Sequence, residues 1–86
     1  MKHIVIKGVA FRVGDEVVLT LLNVIYILTI ENIGHQYMEF KNILFEYDYK
    51  NDMAILEQYN NKYKTKRLIT NDGFKLMDYR NGPTEE

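Results

Sequence analysis

The segment from Val17 to Ile30, VVLTLLNVIYILTI, is almost wholly apolar and limits the fold more than any other stretch. Val17, Val18, Val24, Ile25, Ile27 and Ile30 branch at Cβ, as do Thr20 and Thr29. Branching there restricts χ1 and suits a pleated sheet better than a helix. The run reads as two buried strands, or one long bent strand, broken near Leu22-Asn23. It is shorter than the roughly 20 apolar residues a membrane-crossing helix needs. Asp15 and Glu16 precede it, where a secretory signal needs basic residues. No membrane role is expected, and a cytoplasmic location is.

The remainder of the chain falls into short segments on either side. Ile4 and Ile6 alternate with His3, Val5 and Lys7, and Gly8 then interrupts as a bulge or kink. Val9, Phe11 and Val13 resume the alternation. Gly14 and Asp15 form a turn, the glycine free to take positive φ and the acid able to bond nearby backbone. Glu31 to His35 reads as a hairpin loop. Met38 and Phe40 then form one apolar set, and Ile43, Phe45, Tyr47 and Tyr49 a second. Their phase differs, so a bulge or tight turn at Lys41-Asn42 is needed to keep both on the core.

From Asp52 to Lys64 the spacing changes. Ile55, Leu56, Tyr59 and Tyr63 fall on one arc of a helical wheel, with Glu57, Gln58, Asn60, Asn61 and Lys64 outside it. The spacing predicts one amphipathic helix over 52–64, capped by Asn51 or Asp52 and closed by Lys62, Lys64, Lys66 and Arg67. Residues 67–70 and 74–79 read as a C-terminal hairpin, with Gly73 left-handed in its turn. The expected fold is mostly β (α+β): a small antiparallel sheet or SH3-like barrel with one helix. At 86 residues the chain holds a single domain, placed at 1–80, followed by a flexible tail at 81–86.

Phe11-Arg12-Val13-Gly14-Asp15-Glu16-Val17 resembles the F-x-V-G-D-x-V entry to SH3-like small β-barrels of the KOW and Tudor type. In those modules the glycine and acid shape the loop that opens the first barrel strand. The resemblance implies a barrel and assigns no site. The glycine-rich turn such modules often carry after the first strand is missing between Val17 and Ile30.

Chemistry is mainly bounded by what the sequence lacks. It contains neither serine nor cysteine, which excludes those nucleophiles, and disulfides and thiolate metal sites with them. The glycines stand apart, leaving no phosphate-cradling loop. His3 and His35 are the only imidazoles. No catalytic residue, cofactor or metal is expected, and the chain is read as a non-enzyme. Glu39, Glu46, Asp48, Asp52 and Glu57 read as a solvated acidic face.

Seven tyrosines without a tryptophan exceed what a small core absorbs, and tyrosine supplies amphipathic contact area at interfaces. The strand at Val24–Ile30 is apolar on both faces, so the helix covers one and a second sheet layer or another chain covers the other. The expected function is therefore a protein-binding module, with Tyr26, Tyr37, Tyr47 and Tyr49 as the candidate contacts. Its partner is another protein or a second copy. Abundant Ile, Asn, Lys and Tyr resemble small reading frames of low-GC bacteria and their phages, which brings in an accessory or inhibitor acting on a larger host protein. The alternative is a nucleic-acid-binding barrel using Lys62, Lys64, Lys66 and Arg67. A net charge of -1 supplies no global attraction to nucleic acid.

Overall fold

A computed structural model describes residues 2–60 and 62–79, so the tail expected over 81–86 lies outside the described residues. The described chain is built from antiparallel strands in three sheets. β1 (His3–Ile6) pairs with β2 (Val9–Arg12) alone. β3 (Glu16–Leu21) lies between β4 (Val24–Thr29) and β10 (Phe74–Asp78). The third sheet runs β5 (Asn32–Ile33), β6 (Tyr37–Phe40), β7 (Ile43–Asp48), β8 (Met53–Tyr59), β9 (Lys64–Thr70). A 3-10 turn, Asn71–Gly73, links β9 to β10. Among the described residues no helix is long and apolar enough to cross a membrane.

The turns explain the short strands. Lys7 and Gly8 both have positive φ, 53° and 81°, so Gly8 belongs to a tight hairpin turn and not to a bulge. Leu22, at φ 56°, begins the β3–β4 turn at the break expected from Leu22-Asn23. Asn42, at φ 63°, reverses the chain between β6 and β7, which keeps Met38 and Phe40 on the same buried side as Ile43 and Phe45. Gly14 has φ 95°, and the Asp15 carboxylate accepts the Arg12 backbone N–H at 2.9 Å. That local geometry is the one expected where Val13-Gly14-Asp15 leads into β3.

One core joins the sheets. Ile4, Ile6 and Phe11 enter it from the first hairpin, Val17, Leu19 and Leu21 from β3, and Phe74 and Leu76 from β10. Met38, Phe40, Ile43, Phe45, Tyr47, Ala54 and Leu56 supply the side from the five-stranded sheet. Phe45 meets Phe74 edge-to-face at 5.4 Å, which ties two sheets together through buried rings.

Three sequence expectations need correction. Residues 52–64 form no helix: β8 and β9 occupy them, joined at Asn60, whose side chain accepts the backbone N–H groups of Lys62 and Tyr63. Ala54 and Leu56 point inward, whereas Tyr59 and Tyr63, the far half of the helical arc, are exposed. Nor is there a C-terminal hairpin, because β9 pairs with β8 and β10 pairs with β3. Gly73 is not left-handed, and its lack of a side chain leaves room for Ile69, whose Cγ2 lies 2.8 Å from where a Cβ would sit. Finally, the sheets do not close into an SH3-like barrel, since among the described residues β4 and β9 each have one strand neighbour only. The loop read at Glu31–His35 contains β5 and carries the chain from one sheet to the next.

Candidate protein-interaction surface

The absence of the helix changes the fate of the central apolar run. Along β3 the residues Val17, Leu19 and Leu21 are buried, while Val18 and Thr20 on the other face are half-buried. Across the ladder Tyr26 lies opposite Leu19 and Leu28 opposite Val17, so these share the inner face and pack against the core. Ile25 and Ile27 lie opposite Thr20 and Val18 on the outer face, and they are 66% and 57% exposed. Met77 extends that row from β10 as the partner of Val18. The β4 part of this face is therefore open, while Val18, Thr20 and Met77 beside it are half-buried. The run is extended as expected, but it is not covered on both sides.

β4 is also an edge, and its backbone polarity can be assigned. Ile30 donates its N–H to the Asp15 carbonyl and accepts from Gly14 N–H, so its backbone groups turn toward the β3 side. Antiparallel strands alternate in this respect. Leu28, Tyr26 and Val24 therefore also turn toward β3, and the N–H and C=O groups of Ile25 and Ile27 turn outward. The same two residues thus present open backbone groups and exposed branched side chains. The strand VIYILT bears no charge.

The other sheet edges are charged, short or flanked by a neighbouring element. β9 carries Lys64, Lys66 and Arg67, charges that discourage strand addition. β5 spans only Asn32–Ile33. β10 runs beside β2, with an open groove of about 490 Å³ between them that includes Arg12 and Asp78. Tyr49 Oη donates to the Val5 carbonyl at 2.6 Å, covering part of β1.

The tyrosines expected to form the contact surface are dispersed. Tyr26 is half-buried on the inner face of β4. Tyr37 is half-buried, on the outer side of the five-stranded sheet, its ring filling the space a Cβ on Gly34 would need. Tyr47 is a core residue, 5% exposed, so it is unavailable as a contact. Its hydroxyl donates to the Asp52 carboxylate, and burial followed by that acid raises its pKa to about 12. Tyr49 is exposed but stacks edge-to-face on Tyr47 at 4.8 Å. These four do not share one surface.

The basic run divides as well. Lys64 and Lys66 flank Glu57 on the outer face, at 3.9 and 3.8 Å. Arg67 pairs with Leu56, faces the opposite way, and reaches Gln58 Oε1 at 3.4 Å. Lys62 belongs to the Asn60 loop, and the Lys64 ammonium lies 5.9 Å from the Tyr59 ring centroid. The acids serve local purposes: Asp48 accepts from the Asn51 side-chain amide and from the backbone N–H groups of Asn51 and Lys50, which keep its carboxyl below the ordinary range, and Glu39 accepts from Asn32. Among the described residues no three His, Asp or Glu side chains gather where they could hold a metal ion.

The sequence signal for Ile25 and Ile27 was the apolar character of both faces of their strand. It marks an unsatisfied face, whereas the tyrosine count points to other residues. No protein-family model, curated protein or solved structure matches the chain.

Proposed function

We propose that the chain is a small non-enzymatic protein-binding module that engages its partner along β4. The observation that supports this reading is the uncharged edge itself, with Ile25 and Ile27 exposed and their backbone groups turned outward. An edge of this kind gains both hydrogen bonds and apolar contact when another strand is added. Cytoplasmic action as an accessory or inhibitor of a larger host protein is the biological setting we propose, with the phage-like composition as its support.

Tagged wild-type protein should retain a partner from a low-GC bacterial lysate, and Ile25→Lys should lose it while keeping its melting temperature. Ile25 is exposed, so the change leaves the core intact. Equal retention by the variant would contradict the use of β4. Salt-sensitive nucleic-acid binding that disappears with Lys64→Ala and Lys66→Ala would replace this reading with the nucleic-acid one.

A further inference from the structure

We propose that the partner received by β4 is a second copy of this chain, joined strand to strand about a two-fold axis. This inference rests on the reading of β4 as an interaction surface and names its occupant.

An isologous strand pair makes a specific demand on sequence. Antiparallel self-pairing about an axis normal to the sheet sets like faces together, so it needs a strand whose own sequence is compatible with its reversal. Centred on Tyr26, the pairing places Ile25 of one copy opposite Ile27 of the other, and Val24 opposite Leu28. The outward backbone groups of Ile25 and Ile27 then meet each other, giving a symmetric set of hydrogen bonds. Two branched aliphatic pairs form across the outer face, a favoured combination for cross-strand contact. No like charges meet, because β4 carries none. β9 fits the same requirement less well, as reversal about its midpoint sets Arg67 of one copy directly against Arg67 of the other.

The product is a continuous sheet running β10-β3-β4 and then the same three strands of the second copy in reverse order. Val18 and Met77 extend its aliphatic outer face in each half. The three-stranded sheet of one copy has an open, uncharged edge and the second copy supplies an identical one. A single strand joint is small beside the roughly 800 Å² per partner of a standard interface. The association is therefore reversible and depends on concentration.

Sedimentation velocity across a concentration series provides the test, with circular dichroism confirming that each variant folds. Wild type is expected to pass from monomer to dimer as concentration rises. Ile27→Lys should weaken the dimer about tenfold or more, through loss of both Ile25–Ile27 pairs. The double variant Ile25→Glu with Ile27→Lys sets opposite charges across the axis and should recover the dimer, and failure to recover it overturns the Tyr26-centred pairing. A wild-type monomer at every concentration overturns self-pairing, yet β4-dependent capture of a different protein would leave the binding-module reading standing. A dimer indifferent to Ile27→Lys overturns the assignment of self-association to β4.

Discussion

Phe45→Ala should lower the unfolding free energy by about 3–5 kcal/mol, as buried Phe→Ala changes do. Phe45 has no solvent exposure and stands on the middle strand of the five-stranded sheet, with Met38 and Leu56 as its two ladder partners. Its ring also meets Phe74 of the other large sheet. Deletion therefore loses the transfer free energy of the ring and leaves a cavity at the junction of two sheets. Unfolding free energies scale at about 0.05–0.15 kcal/mol per residue, so in a chain this small the loss takes a large share of the available stability. Urea denaturation measures it directly. A loss below about 1 kcal/mol would mean that the Phe45–Phe74 contact does not join the sheets as described.

The second large effect separates strand from helix in residues 53–59. Leu56→Thr should cost at least the roughly 2–5 kcal/mol of a buried Leu→Ala change, with a buried hydroxyl added. Ile55→Thr should cost about 1 kcal/mol or less, because Ile55 is only half-buried and lies between Glu46 and Leu68 on the outer face. In a helix the two adjacent positions share the apolar arc, and both changes would be severe. Thermal melts of the two variants decide between these outcomes. Comparable losses in both would contradict the strand.

Much of the fold was legible where local chemistry and long-range pairing agree. Gly14 and Asp15 act as their residue types predict, the β3–β4 reversal falls at Leu22-Asn23, and Lys41-Asn42 restores the phase between Phe40 and Ile43. Residues 52–64 mislead because two periods coexist there. Ile55, Leu56, Tyr59 and Tyr63 happen to fit a helical arc, but among the described residues there only Ala54 and Leu56 are buried. The decisive facts are pairings with distant or separate segments: Leu56 with Phe45 on one side and Arg67 on the other. Glu57, which argued against a strand in isolation, is accommodated on the outer face beside Lys64 and Lys66. The 70–73 turn illustrates the same limit. Its Asn-Asp-Gly sequence suits a hairpin, yet the flanking strands each find a better neighbour, so the segment becomes a 3-10 link between sheets.

The candidate surface was legible in part for a related reason. Apolarity on both faces of Val24–Ile30 marked a strand in need of cover, and composition pointed to tyrosine as the means. Sequence alone could not distribute the tyrosines, because Tyr47 and Tyr49 alternate in exposure only once β7 ends at Asp48. Nor could it rank the edges of sheets whose strand order was unknown. Once β4 is an edge and β9 carries the cations, the uncharged strand becomes the exposed one.

Residue-resolved amide hydrogen exchange on dilute, monomeric protein tests the status of β4 most directly. The amides of Ile25 and Ile27 should exchange rapidly, while those of Tyr26 and Leu28, bonded toward β3, remain protected. Equal protection at all four would show that the strand already has a neighbour on its outer side, and the account of β4 as an open edge would be wrong.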